Sequence, residues 1–202
     1  ELWVKVRESW RRDERAVDRT RVGRDDPGDA AHARSDPAAQ PLGGFEAVEH
    51  RPAQVHGWHR AMRMASRINR GTPERPGLVF ALLPGGSCHG AVYRVGREQA
   101  SEVLEALWQR EMPTGVYDPR WLPCVTPQGR VRALAFTLSR KSPQHTGRLS
   151  DSQMLDILRH ARGRYGTTLE YLVCTARCLA ERGVRDREIE RLLALTRKHG
   201  LA

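Results

Sequence analysis

The chain has 202 residues, 39% of them hydrophobic, and carries 34 Lys and Arg against 24 Asp and Glu, a formal charge of +10. That is enough for one sizeable core in a globular protein on the polar side of average, while no apolar run approaches the roughly 20 residues of a membrane-spanning helix. The charged N-terminal stretch lacks the apolar segment and small residues of a secretory signal, and the arginines are interleaved with acids instead of clustered with aromatics, so the expected protein is cytoplasmic, binds neither membrane nor nucleic acid, and presents a field that suits an anionic small substrate.

Residues 1 to 42 are nearly all polar and gather Gly, Pro, Ala and Asp in Arg24-Asp25-Asp26-Pro27-Gly28-Asp29 and Ser35-Asp36-Pro37-Ala38-Ala39-Gln40-Pro41. Such a stretch buries too little apolar surface to offset the entropy of ordering it. It is expected to be a poorly ordered segment, with room for one short helix from Ser9 to Asp18, ahead of a folded domain over residues 43–202. Gln54 to Met64 reads as extended structure. Leu78 to Leu83 and His89 to Val95 are two apolar runs separated by Pro84-Gly85-Gly86-Ser87, which predicts a hairpin with its turn there. A helix follows from about Gln99 to Met112.

A second hairpin is predicted from Trp121 to Thr126 and Val131 to Leu138, turning at Pro127-Gln128-Gly129; its second arm alternates as a strand with one buried face does. Beyond Gly147 the period becomes helical. Ser150 opens a capping box for a helix to about Arg162. Thr167 or Thr168 caps the next, to about Arg182 with Gly183 as its stop, and Asp186 caps a last one to about Lys198. Strands followed by helices argue an α+β fold with a mainly antiparallel sheet or small barrel.

In the helix from Gln99 to Met112, Leu104, Leu107, Trp108 and Glu111 recur at helical spacing, which puts an acid on the stripe that should face a core. A carboxylate stripped of water there has its pKa raised and can be tuned for proton transfer. The alternatives are a frayed helix end open to water past Met112, or an ion pair with Arg110 or a distant Arg. Cys88, Cys124, Cys174 and Cys178 read as buried or half-buried thiols, since Cys174 and Cys178 share a helix face but lack two further ligands. His56 and His59 form a weak H-x-x-H pattern that a strand end explains as well. No metal site and no cofactor are expected.

Several ordered stretches are more specific than periodicity: Val55-His56-Gly57-Trp58-His59-Arg60, Arg70-Gly71-Thr72-Pro73-Glu74-Arg75-Pro76-Gly77-Leu78, Gly85-Gly86-Ser87-Cys88-His89-Gly90-Ala91-Val92-Tyr93-Arg94-Val95, Leu107-Trp108-Gln109-Arg110-Glu111-Met112-Pro113-Thr114-Gly115-Val116-Tyr117 and Gly163-Arg164-Tyr165-Gly166-Thr167-Thr168-Leu169-Glu170-Tyr171-Leu172. On these stretches residues 43 to about 195 resemble the ChaC-type gamma-glutamylcyclotransferases, lyases that split glutathione. The resemblance implies the gamma-glutamylcyclotransferase-like fold, a small barrel-like sheet with flanking helices, and no cofactor. It also implies that Glu111 is the catalytic acid/base for cyclisation of glutathione, or another gamma-glutamyl peptide, to 5-oxoproline and Cys-Gly. Arg70, Gly71 and Thr72 are expected to frame the substrate pocket. Arg70 is a candidate for a substrate carboxylate or for a salt bridge inside the scaffold, and Tyr117 is a further candidate beyond the catalytic helix.

Two departures qualify the resemblance. The family's N-terminal loop of Tyr-Gly-Ser-Leu type, which supplies oxyanion donors and holds the gamma-glutamyl head, is missing. Leu2-Trp3-Val4 is a faint trace of the family's first strand, and Lys5 to Trp10 do not continue it; either a true divergence removed strand and loop or, as the abrupt break and its Arg/Asp/Pro/Ala texture favour, the stretch is out of register with the ancestral reading frame. His145 stands where many relatives carry Tyr or Phe, as a loop residue or one that closes over a site. The alternative function is therefore a degenerate, inactive member of the family that binds a gamma-glutamyl ligand or a protein partner without turnover.

Overall fold

The computed structural model describes residues 2–6 and 47–201. Its centre is a closed barrel of strands in the order β1-β3-β2-β4-β5, formed by β1 (Leu2–Val6), β2 (Glu49–Ser66), β3 (Gly77–Val95), β4 (Tyr117–Thr126) and β5 (Gly129–Leu138). All neighbours are antiparallel except β1 and β5, which meet in parallel at Trp3↔Ala133 and Val4↔Leu134. Four helices among the described residues complete the α+β fold: α1 (Ala100–Glu111), α2 (Asp151–His160), α3 (Thr168–Ala180) and α4 (Arg187–Lys198). A two-residue pair, β6 (Arg162–Gly163) and β7 (Gly166–Thr167), precedes α3. None of these helices is long and apolar enough to cross a membrane.

The barrel closes through the start of the segment expected to be poorly ordered, where Leu2-Trp3-Val4 is the trace of a first strand. Leu2–Val6 pairs with Ala91–Val95 on one side and β5 on the other, and Leu2 and Val4 are buried. Two alternating apolar positions suffice because both edges of this strand find partners. The remainder of that segment, including the expected helix from Ser9 to Asp18, lies outside the described residues.

The expected turn at Pro84-Gly85-Gly86-Ser87 is corrected by the register. The runs on either side of it do not pair with each other; both pair with β2, from Glu49↔Arg94 to Ser66↔Gly77. The chain instead reverses at residues 67–76. What Gly85 and Gly86 provide is a bulge: the register skips them opposite Gly57, and all three have positive φ, of 103°, 67° and 78°, which L side chains seldom adopt. The hairpin between β4 and β5 forms as expected, turning between Thr126 and Gly129.

Alternation divides the sheet's side chains. Ala53, Val55, Cys88, Val92, Leu122, Cys124, Ala133 and Ala135 form one buried cluster. The alternate positions Ala91, Tyr93 and Val95 pack with Leu2 and Val4 under Val103 and Leu107 of α1. The first cluster therefore lies inside the barrel and the second on its outer wall. A third cluster joins the far arms of β2 and β3 to α2, α3 and α4 through Met62, Leu78, Phe80, Leu158, Tyr171 and Leu192. Those arms need other partners for their edges. Thr168 Oγ1 accepts from Leu78 N at 3.1 Å and Tyr171 Oη from Phe80 N at 3.2 Å, so α3 satisfies donors that a missing strand would leave bare.

Helix starts follow the sequence closely. Ser150 and Gln153 form a reciprocal capping box on α2, and Thr167 and Glu170 another on α3. Asp186 caps α4 by accepting from Glu188 N and Ile189 N, and its other oxygen pairs with Arg60 of β2. That ion pair is nearly buried, at 13% and 11% side-chain exposure, and pins α4 to the barrel.

Candidate active site

Glu111 is the last residue of α1. The face that α1 buries is carried by Val103 and Leu107, with Ala100 and Leu104 partly covered. Trp108, expected on that stripe, is instead 50% exposed; the helix is turned so that the indole falls on the flank. Glu111 follows Leu107 by four residues and stays on the inward side, with its side chain 22% exposed. It sits where a helix presents unpaired carbonyls and the negative end of its dipole, a poor place for an anion unless a cation stands by.

Arg110 supplies that cation. Its Nε donates to Glu111 Oε1 at 2.9 Å, and its Nη2 lies 2.7 Å from the same oxygen. Among the described residues no hydrogen bond or ion pair engages Oε2. Of the alternatives left open by periodicity, the pair with Arg110 and the helix-end position are thus both present, on a carboxylate that is neither fully buried nor fully wet.

Past Glu111 the helix closes with Met112 N donating to Trp108 O at 2.9 Å, and Gly115 N donating to Met112 O at 3.0 Å. Buried Val116 then leads into Tyr117, the first residue of β4. The Tyr117 ring stands edge-on to Phe136, with centroids 6.5 Å apart, and Phe136 packs against the same outer-wall cluster as α1. Glu111 and Tyr117 thus flank one short turn, and Val116 and Tyr117 also pack against the cluster that joins β2 and β3 to α2, α3 and α4.

Arg70, Gly71 and Thr72 occupy a different place. They lie in the hairpin's reversal, against α3, whereas α1 packs on Ala91–Val95. Gly77 and Ala91 are 14 residues apart along β3, a contour of about 45 Å. Arg70 is only 5% exposed; its Nη1 donates to Tyr165 O, its Cζ lies 5.3 Å from the centroid of the Tyr171 ring, and its carbonyl accepts from Thr168 Oγ1. Gly71 is boxed in by backbone: a Cβ there would come within 2.0 Å of Gly77 N and 2.6 Å of Arg75 O. Thr72 and Arg75 exchange hydrogen bonds across the turn, and the exposed Glu74 carboxyl is held below its ordinary value by a bond to its own backbone and by the Thr72 hydroxyl. Of the two roles open to Arg70, these contacts are those of scaffold.

His145 bridges to Met64, and its Nδ1 accepts from Gly147 N at 3.1 Å. With Ala65 N donating to Gln144 O and Thr146 N to Arg63 O, it belongs to a loop that covers the edge of β2. Cys88 and Cys124 are buried inside the barrel, while Cys174 and Cys178 are half-buried on α3. His59 of the H-x-x-H pattern approaches Gly85 O at 3.0 Å through Nδ1, and His56 points outward. Glu46, expected like Glu74 to be a solvated acid, lies outside the described residues.

Comparison with known proteins adds to this geometry. A family model described as ChaC-like protein matches residues 43–199. The glutathione-specific gamma-glutamylcyclotransferase of Escherichia coli (strain K12) is 33% identical over 143 residues, which cover 70% of this chain and 62% of the relative. The glutathione-specific gamma-glutamylcyclotransferase 1 of Rattus norvegicus is 31% identical over 134 residues, 64% of this chain and 60% of the relative. The chain thus spans about three fifths of the length of these relatives. In fold it is similar to a crystal structure of a yeast gamma-glutamyl cyclotransferase specific to glutathione, with a TM-score of 0.65 at 20% identity over 75% of this chain and 89% of the other.

Proposed function

We propose that this chain, which belongs to the ChaC-like protein family, cleaves glutathione to 5-oxoproline and Cys-Gly by intramolecular cyclisation, with Glu111 as the general acid/base. The observation that carries this reading is the Glu111 carboxylate at the end of α1, half-buried, anchored through Oε1 and, among the described residues, open at Oε2. The relatives named above are glutathione-specific, and the stretch around Glu111 lies inside the matched residues.

The chemistry explains why one acid suffices. In glutathione the free α-amino group lies within ring-closing reach of the γ-carbonyl carbon, so nucleophile and electrophile share one molecule and their approach is already intramolecular. An ammonium does not attack. A carboxylate must first take a proton from it; the amine then adds to the γ-carbon, and the bond from that carbon to the cysteine nitrogen breaks as the ring closes. The attacking nitrogen loses two protons overall and the departing nitrogen gains two, so one carboxylate can carry the traffic in both directions with no net proton and no water consumed.

The carbonyl oxygen turns into an oxyanion on the way and needs preorganised N–H donors. No Tyr-Gly-Ser-Leu occurs in the sequence; the second reading is a family member that binds a gamma-glutamyl compound or a protein partner without turnover.

Incubation with glutathione and, separately, with N-acetylglutathione separates the two. Equal amounts of 5-oxoproline and Cys-Gly from the first and nothing from the second support cyclisation by the free amine. Release of glutamate with Cys-Gly would overturn it in favour of hydrolysis, and no product from either would favour the non-catalytic reading.

A further inference from the structure

We infer that Arg110 is a positioning residue for the proton shuttle: it fixes Glu111 through one carboxylate oxygen and so leaves the other as the oxygen that exchanges protons. The inference rests on the proposed function and goes beyond it to a second residue. Its basis is the asymmetry of the contact. Nε and Nη2 of Arg110 both close on Oε1, at 2.9 Å and 2.7 Å, while Oε2 has no partner among the described residues. A guanidinium facing both oxygens would occupy the whole carboxylate, as bidentate pairs do. Held at one corner, the group keeps a lone pair for chemistry and loses its freedom to rotate.

Three further points fit this role. Successive helix residues diverge and do not ordinarily meet, so the contact requires the length of Arg and its return across the last turn of α1. The position at the negative end of the helix is adverse for a carboxylate, and a neighbouring cation offsets that. Finally, Arg never gives up its proton in a protein, so it can hold a base without competing for the proton being moved. Lys would keep the charge but lose the fork, since its ammonium is a single compact point of donation.

The test is steady-state kinetics of the full chain with glutathione for the parent, Arg110→Lys and Arg110→Gln. The expected result is a kcat lower by about 10-fold in Arg110→Lys and about 100-fold in Arg110→Gln, with KM changed less than about 3-fold, the split that marks an interaction made at the reacting step. A rise in KM at constant kcat would overturn the inference by making Arg110 a substrate ligand. Unchanged constants in both variants would overturn it by making the contact an idle surface pair. If Arg110→Gln fails to fold, Arg110→Lys decides alone.

Should the parent itself show no turnover, the proposed function fails, and a separate readout still tests the grip. In protein labelled with carbon-13 at Glu side-chain carboxyls, the Glu111 resonance is identified by its loss in Glu111→Gln. A shift of that resonance in Arg110→Lys supports the anchored carboxylate; an unmoved resonance overturns it.

Discussion

Arg70-Gly71-Thr72 and Arg110-Glu111 stand out equally in the sequence, yet the fold treats them in opposite ways. At the hairpin reversal the three motif residues are held from within: Arg70 by Tyr165 O and the Tyr171 ring, Thr72 by Arg75, and Gly71 by backbone that leaves no room for a Cβ. At the end of α1 the pairing stops halfway, with Oε1 of Glu111 engaged and Oε2 open among the described residues. The closed set of contacts is that of a scaffold, and the half-paired carboxylate is the one proposed above to exchange protons.

Substitution at Gly71 tests the scaffold half most severely. A Cβ there meets main chain and not a flexible side-chain tip, so Gly71→Ala is expected to destabilise the protein by at least about 3 kcal/mol, at the upper end of overpacking costs. Urea denaturation measures this, and a change below about 1 kcal/mol would mean that the reversal is looser than described. Arg70→Met comes next. It strands the Tyr165 carbonyl and removes the cation from the Tyr171 ring, at a cost of about 2 kcal/mol, while the KM for glutathione stays at the parent value. A raised KM with parental stability would return Arg70 to the substrate and erase the contrast between the two regions.

The smallest effect concerns a surface pair that belongs to neither region. Hydrogen bonding from Arg51, with the charges of Arg51 and Arg94, holds the Glu49 carboxyl below its ordinary value of 4.5. Because the folded-state value is the lower one, this contribution to stability is complete above the ordinary value and is lost as pH falls through the depressed one. Thermal melts between pH 5 and pH 3, as approximate bounds on that window, should fall slightly less steeply for Glu49→Gln than for the parent. Parallel curves would show that this exposed pair contributes nothing measurable, as many surface pairs do.

Much of the fold was legible because its signals are local. Ser150, Thr167 and Asp186 announce helix starts within three residues, and the turn between Thr126 and Gly129 lies between two alternating runs. What was misread depends on distant partners. Pro84-Gly85-Gly86-Ser87 has the composition of a reversal, and only Gly57 across the ladder reveals it as a bulge within a continuous strand. Leu2-Trp3-Val4 showed in the polar segment only as a faint trace of a first strand, and its full place, Leu2–Val6, comes from two edges waiting for it. Trp108 was assigned to the buried stripe by its helical spacing, although a large apolar residue is often only half covered and this one is 50% exposed.

The site divides in the same way. Glu111 was singled out by periodicity, but only the surrounding motif gave it a chemical role, and only the fold displays the one-cornered grip of Arg110. Arg70 had no local signal for its true surroundings, because Tyr165 and Tyr171 lie about a hundred residues further along the chain.

The most direct test of the account is release of 5-oxoproline from glutathione by the parent protein and by Glu111→Gln, at equal concentrations of protein with matching circular dichroism. The account predicts product from the parent, with Cys-Gly in equal amount, and a rate lower by about 10²–10⁴-fold in Glu111→Gln, the range for loss of a general acid/base. A Glu111→Gln variant that keeps the parent rate, or a parent protein that releases no 5-oxoproline, would contradict it.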